Sequence, residues 1–290
     1  MKISKDIKLR IIGAGKVGMS IVQAFAQKGF NVHAIDISED NLRVGLEKIQ
    51  KNIDQMIKRG KMTAEQKEDV LKRIITSTDF NDLTDADVVI EAVFEDIDLK
   101  KKIFADMDKK VSASDALLLT NTSSMCISEI AASTKRPASV AGMHFFNPVP
   151  IMKLVEIVRG VETTDETVEQ ILELTKLLDK IPIVSKDSPG FIVNRMLNAF
   201  VMEACRIVDE GVGSPEAVDA GAKFGLGHPM GPFELFDNLD GIPLIVHVCE
   251  YMAHELGDRF RPPIWLKNYA KAGRIGRSSG KGIYDYTEEA

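Results

Sequence analysis

Ile7-Lys8-Leu9-Arg10-Ile11-Ile12-Gly13-Ala14-Gly15-Lys16-Val17-Gly18 sets a short strand-like run directly against three glycines. The chain then reads as a helix, Met19 to Lys28, closed by Gly29, since glycine readily takes the backbone conformation that ends a helix. Asn31-Val32-His33-Ala34-Ile35 follows as a second strand and ends in Asp36. Strand, glycine turn, helix, strand, and an acid ~20 residues on form the complete dinucleotide-binding context. The glycines permit a tight turn and let a pyrophosphate approach the helix N-terminus. Asp36 is placed to bond the adenosine ribose hydroxyls and to repel a 2′-phosphate. A nicotinamide or flavin dinucleotide fits this reading. The alternative is a tight turn in an α/β protein that binds no nucleotide.

Downstream, the pattern departs from the simplest βαβ unit. Ser38 is a natural cap for a helix running to about Lys58, with Leu42, Leu46, Ile49, Ile53, Met56 and Ile57 on one face. Thr63-Ala64-Glu65-Gln66 has the form of a capping box and opens a second helix. The basic loop between them, Lys58-Arg59-Gly60-Lys61, is either a solvated surface or a phosphate contact. Ile74 to Ser77, Asp87 to Val93, and Leu117 to Asn121 read as strands, the last two as near-continuous apolar runs of a buried parallel sheet. Ligands bind at the carboxyl ends of such strands. That places Glu95, at the start of a helix, and Ser123, just past a strand, on the ligand side, with a plain helix cap as the other reading of Ser123.

Gly142-Met143-His144-Phe145-Phe146-Asn147-Pro148-Val149-Pro150 reads as a strand entering a turn, followed by Lys153-Leu154-Val155-Glu156-Ile157-Val158 as a returning strand with alternating faces. Proline fixes φ and lacks an N–H, which favours the reversal. The reversal would set Glu156 beside His144. A carboxylate holding one ring nitrogen leaves the other as a base. A buried pair that only ties two strands together is the competing reading. Ile181 to Ser185, containing Pro182, reads as an edge strand.

The character changes at Lys186-Asp187-Ser188-Pro189-Gly190, which divides the chain into residues 1–187 and 188–290. The second part is helical in pattern. Phe191 to Glu210 is apolar around much of its surface, which predicts a deeply buried helix, with Asn194 and Arg195 in its first turns. Asn194 alone reads as a satisfied core amide. Helices are also expected from Ser214-Pro215, over Phe233–Gly257 with a break near Gly241, and over Pro263–Ala272. A helical domain closing over the sheet's carboxyl edge would form a cleft. The fold class is therefore α/β: a Rossmann-type domain with a helical insertion, then an all-helical C-terminal domain.

Composition bounds the partners. The net charge of −6 gives no basic footprint for nucleic acid. No apolar run reaches bilayer length, and the N-terminus lacks the apolar core of a signal peptide. Three cysteines without metal-ligand spacing suit reduced thiols in a cytoplasmic protein, and no metal constellation is visible.

Taken together, Gly13-Ala14-Gly15-Lys16-Val17-Gly18, Asn121-Thr122-Ser123-Ser124, His144-Phe145-Phe146-Asn147-Pro148, Lys153-Leu154-Val155-Glu156, Asp187-Ser188-Pro189-Gly190-Phe191-Ile192-Val193-Asn194-Arg195 and Gly231-Pro232-Phe233-Glu234 resemble the L-3-hydroxyacyl-CoA dehydrogenase family over nearly the whole chain. The resemblance is greatest to its short bacterial members acting on 3-hydroxybutyryl-CoA. It implies NAD as cofactor, acetoacetyl-CoA or 3-hydroxybutyryl-CoA as substrate, and a homodimer formed through the helical domain. By the same resemblance His144 is the catalytic acid–base, Glu156 orients it, Ser123 contacts substrate and nicotinamide, and Asn194 supports the thioester. Glu95, Lys100 and Asn147 fall around NAD. Asn52 and Arg59 stand at the coenzyme A contacts, where relatives carry Ser and Lys. Ser278, beside Arg277, stands where many relatives have a cofactor-contacting Lys. Two other readings are a dehydrogenase of a free hydroxy acid such as L-gulonate, and a catalytically silent NAD-binding regulator.

Overall fold

β-Branched and leucine-rich runs of four to six residues, each bounded by turn formers, become the strands of a doubly covered sheet in the first of two compact units. The computed structural model describes residues 1–287, and the units are Met1–Ser188 and Pro189–Ala290. In the first unit the order is β1 (Leu9–Ile12), α1 (Lys16–Gln27), β2 (Val32–Ile35), α2 (Glu39–Lys58), α3 (Ala64–Lys72), β3 (Ile74–Ser77), β4 (Val88–Glu91), α4 (Ile97–Lys110), β5 (Leu117–Thr120), α5 (Ile127–Ala131), β6 (Val140–Phe145), β7 (Leu154–Arg159), α6 (Asp165–Leu177) and β8 (Ile181–Lys186).

Among the described residues the strands form one eight-stranded sheet, ordered β3-β2-β1-β4-β5-β6-β7-β8. All neighbours are parallel except β6 and β7. The strand order reverses between β1 and β4, the crevice where open α/β sheets take ligands. β4 and β5 are buried at every residue, as a sheet covered on both faces requires. Burying each Leu or Ile of these strands contributes about 1.5–3 kcal/mol. The expected edge strand is found: β8 is outermost, and Pro182 pairs with Val155 there.

The helical insertion follows its capping chemistry. The Ser38 hydroxyl accepts from Asn41 N–H at the start of α2. Thr63 and Gln66 form the reciprocal capping box of α3. Leu42, Ile49 and Ile53 of α2 are buried on the face read from the sequence.

The second unit contains α7 (Val193–Asp209), α8 (Pro215–Ala220), α9 (Pro232–Asn238), α10 (Ile242–Leu256) and α11 (Ile264–Lys271). Val201, Cys205, Phe233, Phe236, Cys249 and Leu266 lie in its core. The segment around Ile283 and Tyr284 is pinned by Asp237, whose carboxylate accepts from their N–H groups at 2.8 and 2.9 Å. Among the described residues no helix is long and apolar enough to cross a membrane.

Two sequence expectations are corrected. Helix α7 is not buried all round: Asn198, Val201, Met202 and Cys205 form one buried stripe, while Met196 is 62% exposed. The i, i+3, i+4 and i+7 spacing of that stripe outweighs the apolar count. Strand β7 does not alternate between buried and exposed faces, and Val155 to Val158 are all buried. It lies inside the sheet, between β6 and β8, and successive residues, which point to opposite faces, are covered on both.

Candidate active site

The glycine turn between β1 and α1 is shaped by close packing. Gly13 has φ +102°, a region that favours glycine. A Cβ on Gly13 would lie 2.6 Å from the Ala92 carbonyl oxygen, and one on Gly18 would lie 1.9 Å from that of Gly13. Gly15 faces open space instead, with nothing within 4 Å of the position of its missing Cβ. It is the N-cap of α1 and offers no side chain to the first N–H groups. The turn of Gly13, Ala14, Gly15, Lys16, Val17 and Gly18 thus leaves room at a helix start whose partial positive charge suits a pyrophosphate. At the end of β2, Asp36 Oδ2 accepts from Ala14 N–H at 2.7 Å. Its Oδ1 accepts from Ser38 N–H at 2.9 Å and Asn41 Nδ2 at 3.2 Å. A carboxylate has about four acceptor positions, so capacity remains for a ribose hydroxyl. The tie from Asp36 to Ala14 has no signal in the sequence pattern.

The β6–β7 pairing sets Glu156 beside His144, as the chain reversal predicts. The strands are antiparallel and His144 is directly opposite Glu156. Residues so paired share one face of the sheet. His144 Nδ1 lies 3.2 Å from Glu156 Oε2. His144 is 5% exposed and Glu156 fully buried. An ionised carboxylate only accepts, so it assigns the ring proton to Nδ1 and makes Nε2 the acceptor of the neutral ring. The Phe146 ring stands 4.5 Å from the imidazole, centroid to centroid.

The turn between these strands is fastened on several sides. Phe145 N–H donates to Asn121 Oδ1 at 2.9 Å, joining β6 to the loop after β5. Val149 N–H donates to Ser20 Oγ of α1 at 3.2 Å. Lys180 Nζ donates to the carbonyls of Val149 and Met152, both at 2.6 Å. Burial, with Lys153 and Lys28 nearby, lowers the Lys180 pKa from its ordinary value. Asn147 is exposed on this turn.

Beyond β4 and β5, Glu95 gathers the Ser123 loop. Its carboxylate accepts from Ser123 N–H at 2.7 Å, Ser123 Oγ at 3.2 Å and Thr122 Oγ1 at 2.9 Å. Ser123 is not a helix cap, since α5 begins at Ile127 with Cys126 at the N-cap. Lys100 is only 1% exposed. Its ammonium lies 2.7 Å from Glu91 Oε1 and 3.4 Å from Glu95 Oε2. Glu91 was missed from sequence because it sits inside an apolar run. A lone acid at the end of a buried strand, with a lysine nine residues on, was the available signal.

The remaining candidates belong to other elements. Asn52 is exposed on α2 and donates to Gln23 Oε1 at 3.2 Å. Arg59 is the exposed C-cap of that helix, followed by Gly60 at φ +68°. Asn194 belongs to the second unit, in the first turn of α7. Ser278 lies there too, its N–H donating to Asp240 Oδ1 at 2.8 Å, with Arg277 over the Tyr286 ring.

Comparison with known proteins gives consistent matches. Residues 8–188 match the family model described as 3-hydroxyacyl-CoA dehydrogenase, NAD binding domain, and residues 190–286 match its C-terminal domain. The 3-hydroxybutyryl-CoA dehydrogenase of Clostridioides difficile is 39% identical over 97% of this chain and 100% of its own. The 3-hydroxyadipyl-CoA dehydrogenase of Escherichia coli K12 is 42% identical over 96% of this chain and 59% of its own. The crystal structure of (S)-3-hydroxybutyryl-CoA dehydrogenase from Ralstonia eutropha superposes with a TM-score of 0.93 at 41% identity, covering 97% of this chain and 100% of that one.

Proposed function

The chain belongs to the 3-hydroxyacyl-CoA dehydrogenase family, and from that premise we propose that it is an NAD-dependent oxidoreductase interconverting (S)-3-hydroxybutyryl-CoA and acetoacetyl-CoA. The observation that carries the reading is the His144–Glu156 pair, held at 3.2 Å by strand register in the same unit as a glycine turn fitted for a dinucleotide. NAD, when bound, supplies the hydride acceptor or donor at the 3-carbon. The open space at Gly15, the start of α1 and the spare acceptor capacity of Asp36 fit that cofactor.

The chain's own residues then divide the work. His144 Nε2 takes the proton of the 3-hydroxyl as the alcohol is oxidised, and the charged ring returns it in the reverse direction. Glu156 holds the Nδ1 proton in place and balances the charge the ring acquires. Ser123 fixes the hydroxyl or keto oxygen and Asn194 the thioester carbonyl, so that the reacting carbon is presented to the nicotinamide. Glu95, Lys100 and Asn147 lie around the cofactor.

The direct test offers acetoacetyl-CoA or free acetoacetate with NADH and follows NADH absorbance. Oxidation of NADH with the thioester alone supports the reading. Turnover of free acetoacetate alone would favour a hydroxy-acid dehydrogenase, and inertness toward both would favour a silent binder.

The basic loop gives a further expectation. Arg59→Ala should weaken acyl-CoA binding by about 1.5–3 kcal/mol through loss of a charge-assisted phosphate contact, and leave NADH affinity unchanged. Asn52, on the same helix, serves as a polar contact to the same ligand. KM values for acetoacetyl-CoA and NADH check this, and equal values in parent and variant return the loop to plain solvated surface.

The protein acts as a homodimer through its second unit, where Val212, Phe224 and Leu226 are 74%, 86% and 65% exposed. Free Cys126, Cys205 and Cys249 support a cytoplasmic location.

A further inference from the structure

We propose that Glu91 is a positioning residue for Ser123, acting through Lys100 and Glu95; this rests on the functional reading above. Glu91 ends β4 and is completely buried. Its Oε1 accepts from Val93 N–H and from Lys100 Nζ, both at 2.7 Å. Its Oε2 accepts from Thr120 Oγ1 at 2.7 Å. Polar groups this deep need such a partner set to offset the cost of leaving water.

The geometry of the shared ammonium is unequal. Lys100 Nζ is 2.7 Å from the buried Glu91 and 3.4 Å from the side chain of Glu95, which is 39% exposed. Attraction is stronger where solvent is excluded, so Glu91 holds the ammonium back from Glu95. The Glu95 oxygens therefore stay with Thr122 Oγ1, Ser123 N–H and Ser123 Oγ. A second route runs in parallel: Thr120 Oγ1 accepts from Thr122 N–H at 3.2 Å, and Asn121 N–H donates to the Glu91 carbonyl at 2.8 Å. Neutralising Glu91 leaves Glu95 as the carboxylate within reach of Lys100. The ammonium then competes with Ser123 for the same oxygens, and the serine hydroxyl loses its contact with Glu95.

The experiment compares Glu91→Gln and the double variant Glu91→Gln/Lys100→Met with the parent, using acetoacetyl-CoA and NADH. Misplacing a contact group by about an ångström can cost ~10²-fold. Glu91→Gln should therefore lose roughly 10–100-fold in kcat, with NADH affinity, read by fluorescence, within about threefold of parent. The double variant has no ammonium to draw Glu95 inward and, read as kcat at saturating NADH so that the loss of Lys100 from the cofactor's surroundings does not enter, should recover about tenfold of that loss. A merely structural Glu91 would lower the thermal midpoint and leave kcat at the parent level, and that result overturns the proposal. Equal kcat in single and double variants overturns it too. If Glu91→Gln yields no folded protein, Glu91→Asp replaces it. Its shorter arm cannot hold both Thr120 and Lys100, so the same fall in kcat is expected, and an unchanged kcat is disproof. Parent turnover is measured first: a parent inactive on acetoacetyl-CoA removes the functional reading and this role together, whereas an active parent isolates the role in the ratios between variants.

Discussion

Glu156→Gln is expected to lower kcat by about 10²–10⁴-fold, the scale of positioned acid–base catalysis, while the fold and NADH affinity stay near parent. The carboxylate lies 3.2 Å from His144 Nδ1, in a pair only 5% and 0% exposed. Glutamine keeps the length and shape but not the charge. Its amide can turn N–H toward the ring, and a donor there demands an acceptor at Nδ1. That moves the ring proton to Nε2, where the neutral ring can no longer accept from the 3-hydroxyl. The imidazolium formed during oxidation also loses its counter-charge. The glycine turn and Asp36 are held by separate hydrogen bonds, so cofactor affinity should not follow turnover down. The measurement is a pH–rate profile in both directions, with NADH titrated by fluorescence. Oxidation requires the neutral ring and reduction the charged one, so the two directions respond oppositely to pH in the parent. A variant with parental kcat and parental profiles would make the pair a structural strap and remove the mechanism above.

NADH should be preferred to NADPH by roughly 10–150-fold in kcat/KM, the equivalent of one charge-assisted hydrogen bond of about 1.5–3 kcal/mol. Asp36 stands at the end of β2, where an acid accepts from ribose hydroxyls and meets a 2′-phosphate as like charge. Asp36→Asn should narrow the preference by at least about tenfold. It should also raise the NADH KM, because one amide cannot accept from Ala14 N–H, Ser38 N–H and Asn41 Nδ2 together. Steady-state constants with both cofactors decide the matter. An unchanged ratio with a raised KM would restrict Asp36 to bracing the turn.

Legibility from sequence followed how local each signal is. The glycine turn was readable because each glycine answers a steric demand within one βαβ unit, as Gly18 against the Gly13 carbonyl shows. The Thr63–Gln66 capping box was readable because both partners lie in one turn of helix. The His144–Glu156 contact could be anticipated because a proline-rich connection favours reversal of the chain, and the antiparallel register then sets the two residues opposite each other. What escaped depends on distant packing. Glu91 meets Thr120 across neighbouring strands 29 residues apart, and in sequence it is one acid in an apolar run. The one-sided burial of α7 depends on which side its neighbours occupy, and apolar residues such as Met196 on the open side misled the reading.

The antiparallel β6–β7 hairpin has a consequence for how such an enzyme can be rebuilt. His144 and Glu156 lie 12 residues apart on one continuous segment, so the pair is heritable as a cassette. Transplanting residues 140–159 between relatives, with one junction on each side, carries both partners and their facing geometry together. The turn within it is fastened at Val149 and Met152 and should travel at its full length, since a one-residue slip of the strand register turns the two side chains to opposite faces. The glycine turn has no such portability: its acid, Asp36, arrives from the next strand, 22 residues beyond Ala14. A recombination point between them would separate a nucleotide cradle from the residue that braces it.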